Sequence, residues 1–194
     1  MDILGPIPET ESGNKYILVV SDYFTKWIEA YPIENQEAIT VAKKLVEEFF
    51  FRFSPPEQLH SDQGRNFESK LIAEICKLLG ISKTRTTPYH PQSDGLVERC
   101  NRTMLSMLAT ATMKRPFEWD SHLRHLCMAY NSSTHPTTGY TPFYLMFGRQ
   151  VRMPIDVMYG LPSKEPVSFP IMPRYFVKIW NWPTRMSVKI WDTN

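Results

Sequence analysis

The first part of the chain is built from short apolar runs separated by turns. Residues 15–21, KYILVVS, form a near-continuous run of β-branched and apolar residues, which is typical of a central strand covered on both faces. Asp2–Leu4 stops at Gly5-Pro6, and residues 27–31 follow a polar stretch, so both segments predict short strands. The opening of the chain therefore predicts an antiparallel meander of three strands.

From residue 36 onward the apolar positions follow a helical period. Residues 36–53 carry apolar side chains at steps of three and four, with lysine and glutamate on the opposite face. Helices are also predicted at 69–79, from Gly95 to about residue 113, at 117–131 and at 142–147. Short strands are predicted between them, at 58–61 and 81–86. This alternation predicts an α/β domain with helices on both faces of its sheet.

The length and composition are those of one domain with a hydrophobic core. The chain has 194 residues, of which 42% are hydrophobic, and no apolar run reaches the ~18 residues of a membrane helix. The N-terminus lacks the features of a secretory signal. The three cysteines, Cys76, Cys100 and Cys127, have no CxxC spacing and indicate reduced thiols of an intracellular protein.

The net charge and the spacing of histidine and cysteine limit the kinds of binding site that the chain can have. The formal net charge is +2, so any DNA-binding face must be a local patch rather than a global excess. His122, His125 and Cys127 do not have the spacing of a structural zinc site, and no zinc is expected in this chain.

Two acids stand where the pattern changes from one element to the next. Asp62 follows the strand at 58–61 and opens the turn Asp62-Gln63-Gly64. Glu98 follows a loop at 91–95 and lies on the first turn of the long helix. Carboxylate oxygens held at a few rigid points suit Mg²⁺, so the pair predicts a hard-cation site. An ordinary Glu98–Arg102 surface pair is the alternative.

The sequence around these acids resembles one family. SDQGRNF at 61–67 and PYHPQSDGLVER at 88–99 are similar to the catalytic core of retroviral and retrotransposon integrases, above all those of gypsy-type long-terminal-repeat elements. The resemblance covers residues 1–160. It implies a ribonuclease H-like α/β fold, with a five-stranded mixed sheet and helices on both faces.

The resemblance also implies a third acid on the first strand, just before a Gly-Pro. Asp2 has this position, and Asp22 is the alternative, although Asp22 also fits a turn residue. Parallel neighbouring strands gather their ligands at the shared carboxyl ends, which favours Asp2 beside Asp62. The implied catalytic and metal-binding residues are therefore Asp2, Asp62 and Glu98, holding two Mg²⁺ or Mn²⁺ ions.

A further set of polar residues is expected to contact DNA, either from the loop before the long helix or from basic positions around it. Basic side chains that bind phosphates supply affinity without sequence information, and for each one singly a solvated surface is the alternative. The set comprises Tyr89, His90, Gln92, Ser93, Arg99, Asn101, Arg102, Lys83 and Arg85. The implied partners are DNA (element ends and target DNA) and further copies of the chain, without a membrane, and the function implies a nuclear location.

The resemblance implies a polynucleotidyl transferase that trims DNA ends and joins them to target DNA by two-metal chemistry. Its alternatives are a ribonuclease H-like nuclease and a degenerate or domesticated copy that binds nucleic acid or a partner without catalysis. Met1 stands directly before Asp2, which predicts a truncated first strand, and the upstream zinc module of the family is missing. Whether this copy is an active enzyme therefore stays open.

The last segment, 161–194, differs from the rest of the chain. It holds five of the 16 prolines and repeats Val-Lys-Ile-Trp at 177–180 and 188–191. We predict a divergent, poorly ordered tail that limited proteolysis removes first. A truncated or frame-shifted end explains it best, and a short ordered hairpin is the alternative.

Overall fold

The structure of the chain is a computed structural model that describes residues 1–86 and 91–160, except for the side chains of 91–98 and of Pro154. The predicted tail, 161–194, lies outside the described residues. The strands are β1 (Asp2–Leu4), β2 (Tyr16–Ser21), β3 (Ile28–Ile33), β4 (Gln58–Ser61) and β5 (Ser82–Arg85). The helices are α1 (Ala38–Lys44), a π-helical segment (Leu45–Phe50), α2 (Phe51–Phe53), α3 (Lys70–Leu78), α4 (Pro91–Ala111), α5 (Trp119–Ser132), α6 (Pro142–Phe147) and α7 (Pro154–Met158).

The chain divides after Val151 into two units. The first, Met1–Val151, holds every element from β1 to α6. The second begins at Arg152 and contains α7. Within the described part, no helix is both long and apolar enough to span a bilayer.

All five predicted strands are present, but they pair as two sheets. β1, β2 and β3 form the predicted antiparallel meander, with Asp2 opposite Val19 and Ser21 opposite Ile28. β4 and β5 pair in parallel. The prediction of one five-stranded sheet is therefore not confirmed. β1 has three residues, and its recorded hydrogen bond to β4 runs from the Met1 amine to the His60 carbonyl oxygen, 2.8 Å away.

β2 is buried on both faces, as its unbroken apolar run predicts. Leu18 and Val20 point into one core, which contains α1, the π-helical segment and α3. Ile17 and Val19 point into a second core, which contains α4 and α5. Helices therefore cover both faces of the three-stranded sheet, and β2 is the layer that the two cores share.

The helix predicted at 36–53 is divided by a π-helical segment. Leu45 and Phe50, five residues apart, are both buried at its two ends. A π-helix bonds residue i to residue i+5, so it brings these two positions onto one side. The sequence predicted one continuous α-helix here. The apolar residues of this segment, Leu45, Val46, Phe49 and Phe50, fit the α-helical period as well as the π-helical one.

The edge strand β3 is covered by side chains of α5 instead of by a fourth strand. Asn131, 1% exposed, accepts a hydrogen bond from the Ile28 N–H at 3.0 Å and donates to the Ile28 carbonyl at 2.9 Å. Cys127 lies against the backbone of Ala30, and Pro32 has no N–H to offer. These contacts close an edge that another strand would otherwise occupy.

Replacing Asn131 by alanine should leave both Ile28 backbone groups buried without a partner. We expect a loss of about 2–4 kcal/mol in the free energy of unfolding, measured by urea denaturation. His125→Ala, a change at an exposed position of the same helix, should stay within about 0.5 kcal/mol of the parent chain. Equal stability of the two variants would refute the edge-covering role of Asn131.

Candidate metal centre and nucleic-acid interface

Asp2 is the point at which β1 meets the long helix α4. The Asn101 side-chain amide donates to Asp2 Oδ2 at 2.5 Å, and the Ile3 N–H donates to Asp2 Oδ1 at 2.7 Å. Asn101 is 8% exposed and follows Glu98 by three residues on α4. Positions three apart are neighbours along one side of a helix. The contact therefore brings the backbone of the Glu98 region to the N-terminal end of β1, where Asp2 lies.

Asp62 is positioned by the turn that follows β4. Its Oδ1 accepts a hydrogen bond from the Gly64 N–H at 3.0 Å. A β-carbon at Gly64 would lie 2.5 Å from Asn66 Oδ1 and 3.0 Å from Asp62 Oδ1, so a larger residue there would displace these two side chains. Phe67, 2% exposed, anchors the turn in the core.

Asp2, Asp62 and Lys83 all act on the buried amine of Met1. Burial lowers the pKa of the Met1 ammonium group to about 6; Asp2 and Asp62 oppose this shift, whereas Lys83 adds to it. The same amine donates to the His60 carbonyl, two residues before Asp62. The charges of both carboxylates therefore reach the start of β1.

Two of the predicted DNA-binding residues are engaged within the protein. Lys83 donates to Ser61 Oγ at 2.6 Å and to the Thr84 carbonyl at 3.1 Å. Glu68 pairs with both Lys83, at 3.6 Å, and Arg85, at 3.7 Å. The Lys83 side chain is 18% exposed and that of Arg85 is 63% exposed, so Arg85 is the more accessible of the two to a ligand.

Asp22, the alternative third acid, closes its own turn. Its Oδ2 accepts hydrogen bonds from the Phe24 N–H, the Thr25 N–H and the Thr25 hydroxyl, at 3.1, 2.6 and 2.7 Å. Three local donors on one oxygen are the mark of an Asx turn. This geometry favours a structural role for Asp22.

The remaining predicted site residues lie on or before α4. Tyr89 and His90 fall outside the described residues. Gln92 and Ser93 belong to the first turn of α4, because the helix begins at Pro91 and not at Gly95 as predicted. Proline is favoured at the first helical position, since its missing N–H has no partner there anyway.

The earlier helix start changes the predicted position of Glu98 as well. Glu98 lies seven residues after Pro91, in about the third turn of α4, and not on its first turn. Arg99 and Arg102 are exposed on the same helix, and Leu105 is 40% exposed. Asn101 contacts Asp2 instead of solvent.

The donor set at this site fits a hard divalent cation. Asp2 and Asp62 carry carboxylate oxygens, and Asn101 Oδ1 is buried without a hydrogen-bond partner among the residues whose side chains are described. An orphaned buried acceptor beside carboxylates suits an ion or its bound water. Among the residues whose side chains are described, no three His, Cys, Asp or Glu form a ready metal cluster, and Glu98 lies outside that set.

The sequence did not predict a pocket that lies beside α4. It has a volume of about 220 Å³ and lies between α4 and residues 133–136, the segment after α5. Arg99 is the lining residue that the sequence had singled out. The helix end at Ser132 followed by Ser-Thr-His-Pro was the available signal, but a sequence does not show which helix such a segment faces.

Comparison with known proteins agrees with this geometry. The family described as "Integrase core domain" matches residues 1–91. The Pol polyprotein of transposon 412 from Drosophila melanogaster is 32% identical over 167 residues, which are 86% of this chain and 13% of that polyprotein. The chain belongs to the integrase core family. It spans 13% of the length of this curated relative.

Solved integrase cores have the same fold. The catalytic core of BIV integrase is 28% identical, with a TM-score of 0.58 over 74% of this chain and 91% of that one. The HTLV-2 integrase core, described in complex with magnesium in a trimeric form, has a TM-score of 0.57 at 17% identity, over 73% of this chain and 91% of that chain. The second likeness concerns the fold alone.

The contact between Asn101 and Asp2 can be tested by changing its charge. Asn101→Asp places a second carboxylate beside Asp2, so repulsion should cost about 1–3 kcal/mol of unfolding free energy at pH 8. The loss should shrink at about pH 4, where carboxyl groups begin to protonate. Urea denaturation at both pH values, with and without Mg²⁺, measures this effect.

Asn14→Asp is the matched control for this experiment. The Asn14 amide donates to Asp120 Oδ2 at 2.8 Å, so the substitution creates an equivalent acid pair elsewhere. Mg²⁺ should restore stability to the Asn101 variant and not to the Asn14 variant. Equal responses of the two variants would show that the Asp2 region has no special affinity for the cation.

Proposed function

We propose that this chain is an integrase-type polynucleotidyl transferase core that processes DNA ends and joins them to target DNA. The family supports DNA integration as the general activity. The observation that carries the proposal for this chain is the position of β1, which is hydrogen-bonded to β4 through Met1 and to α4 through Asp2. The three elements that carry Asp2, Asp62 and Glu98 are thereby joined.

Asp2, Asp62 and Glu98 are the proposed metal ligands, and Mg²⁺ or Mn²⁺ bound there would activate the attacking hydroxyl and stabilise the leaving oxygen. The protein's own contribution is to fix the ligands. Asn101 holds one oxygen of Asp2, and the Gly64 N–H holds one oxygen of Asp62. Preset ligands need little reorganisation when substrate arrives.

The proposed reaction breaks one phosphodiester bond: strand joining replaces it by another phosphodiester, and end trimming by water replaces it by a phosphomonoester. An oxygen of water, or of a DNA 3′-hydroxyl, attacks phosphorus, and the bond from phosphorus to the leaving oxygen breaks. The attacking hydroxyl loses a proton and the leaving oxygen gains one. No covalent bond to the protein is required, so Arg99 and Arg102, exposed on α4, need only to hold phosphates in place.

The proposed partners are DNA ends, target DNA and further copies of the chain. The trimeric form of the HTLV-2 core supports self-association within the family. Because target DNA is chromosomal in this proposal, the expected location is the nucleus. The predicted DNA contacts at Tyr89, His90, Gln92, Ser93, Lys83 and Arg85 stay part of the proposal.

A second candidate is a nucleic-acid-binding protein without catalysis. The observation that favours it is the division of the described strands into two sheets, so that no strand ladder joins β1, which carries Asp2, to β4, which precedes Asp62. A weakly held strand would fix the Asp2 carboxylate less firmly against Asp62. Catalytic activity therefore has to be measured separately from DNA binding.

The metal site is tested by thermal unfolding of the parent chain, Asp62→Asn and Asp22→Asn with and without Mg²⁺ or Mn²⁺. Saturating metal, at about 100 times its Kd, should stabilise the parent chain by about 2.7 kcal/mol through binding to the native state. Asp62→Asn keeps the side-chain shape but removes the charge, so it should abolish this gain and also DNA nicking and strand transfer.

Asp22→Asn is the control, because Asp22 serves its own turn. It should lower the melting temperature but keep the stabilisation by metal. A loss of metal response in this variant would move the third ligand to Asp22. A folded parent chain that binds DNA without any metal response would favour the non-catalytic candidate.

A further inference from the structure

The pocket between α4 and the segment that follows α5 has an apolar lining on the side of the core. The half-buried residues Cys100, Met107 and Tyr130 line it, and all three pack against the second core. Its volume of about 220 Å³ is below the ~300–1,000 Å³ of pockets for drug-sized ligands. The pocket therefore suits a small ligand that has an apolar part.

The polar atoms on this side of the pocket carry no negative charge. The Tyr130 side chain forms a hydrogen bond with Cys100, and burial raises the pKa of both groups. The thiol and the hydroxyl are therefore neutral at pH 7. Among the described residues that line the pocket, none is an aspartate or a glutamate, so an anion would meet no charge of its own sign in the lining.

His135 offers a neutral donor to the pocket that it lines. Its Nδ1 accepts a hydrogen bond from the Thr137 N–H at 3.2 Å, so the proton of the neutral ring is on Nε2. Burial lowers the pKa of His135, and the charges of Lys26 and Arg99 lower it further. The ring also lies against Tyr130, with 6.3 Å between the ring centroids.

Arg99 supplies the positive charge of the lining. It is exposed and forms no salt bridge among the residues whose side chains are described, unlike Lys83 and Arg85 with Glu68. A guanidinium group presents a planar fork of N–H donors that matches the two oxygens of a carboxylate. The pocket therefore combines one cation and one neutral donor with an apolar wall.

We propose that this pocket binds a small organic carboxylate, with the carboxylate on Arg99 and His135 and the apolar group against Cys100, Met107 and Tyr130. One carboxylate brings one negative charge, which matches the charge of Arg99. A phosphate monoester carries nearly two negative charges at pH 7 and would keep part of its charge without a partner. The proposal concerns a site other than the proposed metal ligands and does not rest on the proposed function.

The test follows methionine methyl groups by NMR in the full chain, labelled with ¹³C-methyl methionine, without divalent metal or DNA. The probe is 3-phenylpropionate. It should shift the Met107 signal in a saturable way, with a Kd of about 1 mM, as expected for so small a ligand. Met128 lines a different cavity, so its signal should keep its position. Met107→Leu and Met128→Leu identify the two signals.

Three further probes separate the charge of the ligand from its apolar group. 3-Phenylpropanol has the same ring and chain without a charge, and it should bind about tenfold more weakly or worse, because it cannot form charge-assisted bonds. Acetate and inorganic phosphate lack the apolar group. Neither should shift the Met107 signal in a saturable way at the concentrations used for 3-phenylpropionate.

Two substitutions remove the proposed donors. Arg99→Gln should weaken binding of 3-phenylpropionate about tenfold, and His135→Ala about threefold. Arg124→Gln is the matched control, since Arg124 is an exposed arginine that lines the cavity of Met128. It removes the same charge and should leave the Kd within about twofold. Unchanged signals of the other methionines show that each variant is folded.

Several results would overturn the proposal. An equal Kd for 3-phenylpropanol would show an apolar cavity in which Arg99 has no part, and saturable binding of acetate or phosphate would show a simple anion site. An equal loss from Arg124→Gln, a shift of Met128 in place of Met107, or no shift of Met107 at all would contradict it as well. None of these results bears on metal-dependent nicking, because metal and DNA are absent.

Discussion

The arrangement depends on how a three-residue strand is held between two larger elements. Through its ladder to β2, β1 belongs to the meander. Through the Met1 amine it meets β4, and through the Asp2 carboxylate it meets α4. The contact with α4 is a hydrogen bond to a carboxylate, which is stronger than one between neutral groups. The relative position of the three proposed metal ligands follows from these bonds.

The rest of the fold makes that position rigid. β2 separates two cores, and each core presses a different helical layer onto the same strand. Met104 and Leu108, buried in the second core, fix the part of α4 that follows Asn101. Asn131 ties α5 to the edge of β3 by two hydrogen bonds. A side chain on α4 is therefore located by packing over several turns and not by the site contacts alone.

Local chemistry made much of this predictable from the sequence. The unbroken apolar run of β2 indicated burial on two faces, and Asp62-Gln63-Gly64 indicated a turn after a strand. Strand pairing was harder to predict. The pattern of apolar residues does not show whether the backbone groups of β1 bond to those of β4. The start of α4 was misplaced because Gly95 suggested a loop, whereas Pro91 at the first helical position was the better signal.

The pocket was not predictable, because its donor groups come from distant parts of the chain. Arg99 and His135 line it together because α4 packs beside the segment after α5. Arg99 and Arg102 are exposed on α4, and a net charge of +2 does not reveal this local basic stretch. Acids alone would repel a phosphate, and the repulsion grows where water is excluded. In the proposed function these two arginines would supply phosphate affinity while the carboxylates stay free for the metal.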